Sequence, residues 1–320
     1  MPVDVDLLAA EWPEPPPWRR FSGEPDLPVP AVDPRESERR LGLVPLDLTR
    51  DFDLLSGVNA AITLARPLLI TGPPGSGKSS LAYSIAHELA LGRVLRWQVT
   101  SRTRLESGLF GYDAFGRAQA MAMHENSDIG NFVHLGPLGT AMLPYRLPRV
   151  LLIDEMDKGD FDLPNDLLGI FEEGEFPIPE LVRVRDRTPE VVVHTHDPDG
   201  RARVVDGRVQ CHAFPLTVIT SNGERDFPPA FLRRCIELTL PQPTPDRLAA
   251  MVAAHFPEHE AGLTEELIAM FEERRRTGVM AADQLLNAVH LVRSSPLTVA
   301  GRRSLDEVVN TVWHQLSARE

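Results

Sequence analysis

Cysteine is scarce in this chain of 320 residues: Cys211 and Cys235 are its only two copies. They are too few for a disulfide framework or a four-cysteine zinc site. The sequence also lacks any apolar run of about 18 residues, the length that a membrane-spanning helix needs. Its first residues are acidic and contain no basic stretch of the kind that opens a secretory signal. We therefore expect a protein without a membrane span, in a reducing, cytoplasmic compartment.

Basic charge is also in deficit, with 33 Lys and Arg against 46 Asp and Glu and a net charge of −13. Because nucleic-acid binding depends on neutralising phosphates, this balance disfavours a nucleic-acid partner. An apolar content of 42% and a charged content of 25% are ordinary for a globular protein. The length fits one large domain and a smaller one.

The most specific feature that the sequence does contain is a phosphate-binding loop. Residues 72–79 read G-P-P-G-S-G-K-S and match G-x-x-x-x-G-K-[S/T] at every fixed position. An apolar run precedes the segment and an amphipathic stretch, 81–91, follows it, which is the strand–loop–helix context that the pattern requires. Glycines let backbone N–H groups point at phosphate oxygens, and the helix N-terminus adds a positive dipole. The residues expected to contact a nucleoside triphosphate here are Gly72, Pro73, Pro74, Gly75, Ser76, Gly77, Lys78, Ser79 and Ser80.

Two carboxylates, Asp154 and Glu155, directly follow the apolar run 150–153. At the end of a buried strand, Asp154 is expected to hold Mg²⁺ together with Ser79, next to the nucleotide. Glu155 is expected to polarise an attacking water, a general-base role typically worth ~10²–10⁴ in rate. The pair favours hydrolysis of ATP over phosphoryl transfer to a small molecule.

Two further polar sites follow along the chain. Asn222 comes directly after another apolar run and is predicted either to orient the attacking water or only to begin a turn. Arg233 and Arg234 end a short predicted helix, which would direct them away from their own phosphate loop and towards a neighbouring subunit. The alternative for this pair is two surface arginines that suit a helix C-terminus.

The coarse pattern predicts an α/β fold. Four short apolar runs, 68–71, 94–99, 150–153 and 216–220, lack periodicity, as expected for strands of a parallel sheet that is buried on both faces. Helical patterns lie between them and indicate a sheet sandwiched by helices. From about residue 244 the pattern is only helical and predicts a small all-α domain. Its last apolar stripe consists of Leu305, Val308, Val309, Val312 and Leu316.

The segment before residue 35 is rich in proline and is expected to contain no regular helix. Two alternatives remain open for it. It is either a disordered tail or a segment that docks on a protein surface through Trp12, Trp18 and Phe21.

Taken in order, the phosphate loop, the Asp-Glu strand, the strand-end Asn and the arginine pair, ahead of a helical lid, resemble the AAA+ ATPases. Within them the chain resembles the MoxR group, through segments 132–138, 154–158, 171–174, 220–222 and 231–235. The resemblance spans about residues 40–295. It implies a P-loop AAA+ fold, Mg²⁺-dependent ATP hydrolysis at the subunit interfaces of a ring oligomer, most often a hexamer, and Asn222 as the sensor-1 residue. It makes Arg234 the arginine finger, with Arg233 as the alternative.

The same resemblance divides the chain. It implies an N-terminal extension at 1–39, a nucleotide-binding domain at 40–243 and a helical lid domain at 244–320. The nucleotide-binding domain would carry an insertion in its second helix at about 107–140 and a β-hairpin before sensor 1 at about 189–210. No sensor-2 arginine stands at 278–283. Either Arg274, Arg275 or Arg276 substitutes for it, or nucleotide is sensed without this contact.

The task that the resemblance implies is the remodelling or activation of a partner protein or complex, often with a von Willebrand factor A-type partner. The hairpin arginines Arg201, Arg203 and Arg208 are expected to contact such a partner, to contact nucleic acid, or to lie on solvated faces. A nucleotide-dependent switch in a signalling or defence complex is the alternative function, and a nucleic-acid motor is the third.

Overall fold

A computed structural model describes residues 5–28, 34–42, 51–258, 261–276, 278, 280–294, 309–310 and 312–313. The helices are α1 (Val5–Glu11), α2 (Pro34–Leu41), α3 (Phe52–Leu64), α4 (Lys78–Glu88), α5 (Leu105–Leu109), α6 (Ala114–Met123), α7 (Pro137–Ala141), α8 (Leu163–Glu173), α9 (Pro179–Val182), α10 (Pro229–Leu232), α11 (Pro245–His255), α12 (Ala261–Arg275) and α13 (Ala282–Ser294). The strands are β1 (Leu68–Thr71), β2 (Leu95–Gln98), β3 (Phe110–Tyr112), β4 (Val133–Leu135), β5 (Val150–Asp154), β6 (Glu175–Pro177), β7 (Glu190–His194), β8 (Arg201–Val205), β9 (Arg208–Gln210), β10 (Leu216–Ser221) and β11 (Ile236–Thr239). Among the described helices, none combines the length and the apolar character needed to cross a membrane.

In the described residues the central sheet has five parallel strands in the order β2-β5-β10-β1-β11. Four of them are the predicted apolar runs. Along β5, Val150 and Leu152 enter the hydrophobic cluster on one face of the sheet, and Leu151 and Ile153 enter the cluster on the other. Burial on both faces therefore explains the missing periodicity. The fifth strand, β11, was not predicted because it is the outermost strand of the sheet, where exposed and half-buried positions alternate and no continuous apolar run forms.

A second sheet carries the predicted hairpin. Strands β7 and β8 pair antiparallel, with Val191 opposite Val204, so the hairpin prediction is confirmed. The sheet is larger than the hairpin, however, and its order is β3-β4-β7-β8-β9-β6. Strand β9 joins it through a two-residue turn at Asp206 and Gly207, whose φ values are 51° and 68°. An Asp-Gly pair with positive φ at both positions is the preferred connection for tight hairpins.

A buried ion pair ties the hairpin to the central sheet. Arg149, the residue before β5, is fully buried, and Asp197 in the β7–β8 loop is 12% exposed. The guanidinium donates from Nη1 and Nη2 to the two Asp197 carboxylate oxygens over 2.8 and 2.9 Å. It also donates to the Tyr145 hydroxyl over 3.1 Å and to the Arg93 carbonyl over 3.0 Å. The hairpin loop is thus fixed to the start of the strand that ends in Asp154.

Helices α11, α12 and α13 form a C-terminal helical bundle around a hydrophobic cluster of their own. Leu248, Val252 and Phe271 are fully buried in it. Of the last predicted stripe, only Val309 and Val312 lie in the described residues, and both contribute to the same cluster. Leu305, Val308 and Leu316 lie outside the described residues, so the fourth helix stays a prediction.

Of the N-terminal extension predicted at 1–39, the Pro-rich part that the structure describes is residues 5–28, and "the extension" refers to these residues below. It docks on the body of the chain: Trp12 packs against the cluster under α3 and α4, and Phe21 stacks on Phe214. The expectation of no regular helix is wrong for α1, since residues 5–11 contain no proline. Trp18 is 78% exposed and takes no part in the docking core.

Candidate functional site

The glycine-rich segment connects β1 to α4 at the carboxyl edge of the central sheet. Gly72, Gly75 and Gly77 have φ values of 146°, 74° and 89°, a region that glycine adopts at little steric cost. Lys78 is the first residue of α4, three residues earlier than the amphipathic pattern indicates. The strand–loop–helix order required of a phosphate loop is therefore present.

Lys78 folds back over this loop. Its ammonium group donates to the carbonyl oxygens of Gly72 over 2.7 Å and Pro73 over 2.8 Å. Only 8% of the residue is exposed. Burial lowers the pKa of Lys78, while the nearby carboxylates Asp157, Asp154 and Glu155 act in the opposite direction. The cation is thus held between the loop and the acidic ends of the neighbouring strands.

Asp154 and Ser79 meet directly. The Ser79 hydroxyl donates to Asp154 Oδ1 over 2.7 Å, and the Thr220 hydroxyl donates to the same oxygen over 2.8 Å. Arg96 donates to Oδ2 from Nε over 3.0 Å and from Nη2 over 2.6 Å. Burial alone would raise the pKa of Asp154, but these hydrogen bonds outweigh it and the pKa is lowered. The carboxylate therefore remains ionised beside the Ser79 hydroxyl at neutral pH.

Arg96 is a site residue that the sequence reasoning did not identify. It lies on β2, the strand next to β5, inside a run interpreted as buried on both faces. The signal was present, because Arg96 and Gln98 are the polar members of that run and alternate with buried Leu95 and Trp97.

Glu155 has an unusual backbone conformation. Its φ of 60° and ψ of 50° are left-handed, which costs energy for a residue with a side chain and is concentrated at functional sites. The conformation is fixed in part by its N–H, which donates to the Thr220 hydroxyl over 2.9 Å. The carboxylate accepts from Gln98 Nε2 over 2.8 Å and from Lys158 Nζ over 2.6 Å. Three neighbours therefore determine where this acid points.

Asn222 follows β10, which lies between β1 and β5. It is thus placed between the phosphate loop and the Asp154 strand end, as the first of its two predicted roles needs. Its backbone N–H and that of Glu224 donate to Asp157 Oδ2 over 2.9 and 3.1 Å, and Gly223 has a φ of 76°. Asn222 therefore also begins a turn, and this buried carboxylate supports the turn.

Arg233 and Arg234 lie where the parallel strands begin, at the end of the sheet opposite to the carboxyl ends that carry the phosphate loop. They precede β11, which starts beside the start of β1 through a hydrogen bond from the Ile236 N–H to the Pro67 carbonyl over 2.8 Å. The phosphate loop follows the other end of β1, about 13 Å away at ~3.3 Å per strand residue. Arg233 is exposed, and Arg234 pairs with Glu172 on α8. The pair is therefore remote from the phosphate loop of its own chain.

The family model described as the AAA domain of the dynein-related subfamily matches residues 67–235, more than half of the chain. The chain belongs to this family. It has the AAA+ P-loop fold predicted from the sequence, with a parallel sheet flanked by helices and C-terminal helices consistent with a lid.

Several solved structures are similar to this AAA domain protein. NtrX from Brucella abortus in complex with ADP has 16% identity and a TM-score of 0.45, over 87% of this chain and 57% of that one. The RuvB Holliday junction branch migration motor of Thermotoga maritima has 16% identity and a TM-score of 0.38, over 88% and 68%. PCH-2 of C. elegans has 15% identity and a TM-score of 0.44, over 91% and 75%. The chain spans little more than half of the NtrX structure, and no curated protein matches it at a significant level.

In this AAA domain protein the C-terminal bundle abuts the phosphate loop. A Cβ on Gly75 would collide with the backbone of Ala281 and Ala282 at the start of α13. Of the arginines considered as substitutes for sensor 2, Arg275 donates to the Pro243 carbonyl over 2.9 Å and pairs with Glu272.

The other two arginines also engage the bundle. Arg276 pairs with Glu273, and Arg274 lies over the Trp313 ring. These contacts favour the alternative in which nucleotide is sensed without such an arginine.

The residues present fit a Mg²⁺–nucleotide. Three left-handed glycines and a helix N-terminus line the loop, and a hydroxyl and an ionised carboxylate, the oxygen ligands that Mg²⁺ prefers, lie 2.7 Å apart. The Ser76 hydroxyl is buried inside the loop without a hydrogen-bond partner among the described residues, as expected of a loop built to receive further ligands.

Proposed function

We propose that this protein is a Mg²⁺-dependent ATPase of the MoxR-like AAA+ group, which hydrolyses ATP between the subunits of a ring and thereby remodels or activates a partner protein or complex. The observation that carries the proposal is the hydrogen bond of 2.7 Å between Ser79 and Asp154, with Glu155 following at the same sheet edge. It joins the phosphate loop and the acidic strand into one candidate site.

In this proposal the loop residues 72–80 bind the phosphates, and Lys78 leaves its two carbonyl partners to reach them. Ser79 and Asp154 hold Mg²⁺, which when bound neutralises phosphate charge. Glu155 accepts a proton from the attacking water, and the contacts from Gln98 and Lys158 orient it. Asn222 orients the same water from the end of β10.

The arginines of one subunit complete the site of the next. Their place at the opposite sheet edge supports this division, because neither Arg233 nor Arg234 lies near the phosphate loop that precedes α4 in the same chain. A ring, most often a hexamer in such proteins, brings the two edges together. An arginine supplied in trans is typically worth ~10³–10⁵ in kcat.

Two variants test the proposal. Glu155→Gln should bind ATP and retain it, since proton acceptance is lost while the loop is intact. Arg234→Ala should also bind ATP but lose turnover at least ~10³-fold, whereas Arg276→Ala, which alters an exposed arginine of the bundle, should not. Binding is measured with a fluorescent ATP analogue and turnover by phosphate release. Unchanged turnover in both Arg234→Ala and Arg233→Ala would refute the shared site.

Nucleotide entry requires the C-terminal bundle to move. Beside the loop, α2, α4 and α11 line a cavity of about 50 Å³, with residues that include Leu41, Leu81 and Met251. Ligand pockets usually measure ~300–1,000 Å³, so a nucleoside at this place needs these helices to separate, and α11 belongs to the bundle. ATP binding would in this way change the position of the bundle.

The second sheet is the proposed partner surface. Val192 and Val205 of the hairpin and Phe115, Met121 and Met123 of α6 are large apolar side chains exposed to solvent. Where such side chains form a contiguous patch, the patch marks a protein or membrane interaction site.

The charges of this surface agree with a protein partner, for which a von Willebrand factor A-type domain is the candidate. Arg203 pairs with Asp26 and Glu190, and Arg208 pairs with Glu175, which leaves less free positive charge than the sequence suggests. The client is identified by mass spectrometry of the proteins that bind to the Glu155→Gln protein, which should retain ATP. ATP turnover that DNA or RNA stimulates would favour a nucleic-acid motor instead.

A nucleotide switch in a signalling or defence complex remains the second candidate function. The observation that favours it is that Arg274, Arg275 and Arg276, the arginines predicted as substitutes for sensor 2, all contact other residues of the chain. A rate of ATP hydrolysis in a single turnover that is far below the rate of partner release would support the switch function. Both functions suit a reducing, cytoplasmic location, where free thiols such as Cys211 and Cys235 are the ordinary state of cysteine.

A further inference from the structure

The N-terminal extension lies along the same sheet edge as Arg233 and Arg234. We propose that its residues Arg19 and Phe21 are positioning residues for these arginines, so that the extension of one subunit sets ATP turnover in the next. The inference rests on the proposed site between subunits. It assigns the extension to the surface that one copy of this chain presents to another.

The first line of contact runs through Arg19. Its Nη2 donates to the Ala65 carbonyl over 2.5 Å. Ala65 ends α3 in a left-handed conformation with a φ of 48°, which costs energy for alanine and needs support from its surroundings. The next residue, Arg66, donates from Nη1 to the Arg233 carbonyl over 2.9 Å. Arg19 thus stabilises the turn from which Arg66 holds the backbone of Arg233.

The second line of contact runs through Phe21. Its ring stacks on Phe214 with centroids 5.3 Å apart, and the Arg19 guanidinium lies over both rings. Phe21 also fills the space above Gly174, where any Cβ would collide with its ring. Gly174 ends α8 in a left-handed conformation. Phe21 therefore packs on the end of the helix that carries Glu172, two residues earlier.

Glu172 connects that helix end to Arg234. Their side chains pair, yet they are 45% and 41% exposed. A shift of the end of α8 would move the carboxylate to which Arg234 donates, so the orientation of Arg234 depends in part on where that helix end is held. A further hydrogen bond from Arg234 Nη1 to the Ala230 carbonyl over 3.0 Å ties it to α10.

The charges of this group suit an anion from a neighbouring subunit. Burial lowers the pKa of Arg19, and the charges of Arg66 and Arg234 lower it further while Glu172 opposes them, so the four groups lie within one another's field. With Arg233 they make four arginines around Glu172, and Glu237 adds a second carboxylate near Cys235 and Arg66. The surplus positive charge matches the phosphates of an incoming nucleotide.

A complementation experiment separates this role from a general effect on folding. Subunits with Lys78→Ala lack a working phosphate loop but retain both arginines. Subunits with Arg233→Ala and Arg234→Ala retain the loop but lack the arginines. Each protein alone should be inactive, and a mixture should recover part of the ATP turnover, because mixed interfaces join an intact loop to intact arginines.

Arg19→Ala with Phe21→Ala is then added to one member of the mixture at a time. In the Lys78→Ala subunits it should reduce the recovered turnover at least ~10-fold, since a displacement of about 1 Å costs ~100-fold. In the arginine-less subunits the same change should leave the recovery intact. Arg19→Ala with Phe21→Leu, which keeps an apolar side chain above Gly174, should restore part of the loss. Trp18→Ala, which alters an exposed residue of the extension, should cause none.

Release of the extension is followed independently through Cys211. This thiol is fully buried, and the Gly23 N–H donates to its backbone carbonyl over 3.0 Å. The double variant should therefore expose Cys211 to alkylation, located by mass spectrometry. Full recovery despite an exposed Cys211, or an equal loss in both members of the mixture, would overturn the inference. No recovery in the parent mixture would instead refute the site between subunits.

Discussion

The ion pair between Arg149 and Asp197 should contribute substantially to stability. Removing one partner of a buried pair typically costs about 3–5 kcal/mol, because the other charge stays buried without compensation. Arg149 has no exposed surface and donates two charge-assisted hydrogen bonds to Asp197. For Asp197→Asn we expect the lower end, about 3 kcal/mol, because the amide oxygen still accepts one hydrogen bond.

Urea unfolding followed by circular dichroism measures this loss. With a denaturant slope of about 3 kcal/mol/M, the midpoint should fall by about 1 M. Asp199→Asn is the matched control: it makes the same chemical change in the same loop, at an exposed residue whose φ of 54° asparagine tolerates. Replacing both partners, Arg149→Met with Asp197→Leu, should recover most of the loss, since apolar replacements of buried pairs are often neutral. Equal midpoints for the two asparagine variants would refute the reasoning.

Two further predictions concern titrating and charged groups. Arg96 donates to Asp154 and therefore competes with Mg²⁺ for this carboxylate. Because a hydrogen bond to a charged group contributes about 1.5–3 kcal/mol, Arg96→Gln in the Glu155→Gln protein should lower the Mg²⁺ concentration for half-maximal binding of a fluorescent ATP analogue by ~10-fold. Arg93→Gln, which removes the partner of Glu36, should have no effect, and a higher Mg²⁺ requirement in Arg96→Gln would contradict the idea. His255 is half-buried, and burial lowers its pKa, so the folded state disfavours protonation of this side chain. Above the ordinary histidine pKa of about 6.5, His255 is neutral in both states and should not affect stability. Below that pH, stability should fall because the unfolded chain takes up a proton that the folded chain does not. His255→Gln should reduce the difference between unfolding midpoints at pH 7.5 and 5.5, and an unchanged difference would show that other groups cause it.

Short sequence segments predicted the phosphate loop, the buried strands and the position of the arginine pair, because neighbouring residues in the chain determine these features. The phosphate loop needs glycine at Gly72, Gly75 and Gly77 because each has positive φ, and this requirement is visible in a short segment. The buried strands are visible because burial on both faces removes periodicity. The position of Arg233 and Arg234 away from the loop follows from a helix that precedes an edge strand.

Other features depend on contacts that no short window contains. Arg149 and Asp197 are 48 positions apart, and Arg96 and Asp154 are 58 apart, so neither pairing leaves a local signal. The docking of Phe21 depends on a space above Gly174 that only the folded chain creates. The turn at Asp206 and Gly207 was accessible in principle, because an Asp-Gly pair between alternating residues predicts a tight hairpin.

The position of β1 in the sheet has a consequence for synthesis. Both of its neighbours, β10 and β11, come later in the chain, with Leu68 pairing with Val218 and Ile236. At ~5–20 residues per second, roughly 7–30 s of translation separate the strand from its first partner. Until then β1 exposes unpaired backbone on both sides, a hazard for aggregation. The strand that leads into the phosphate loop emerges first in the central sheet, yet it is incorporated only when the strands after the hairpin have been made.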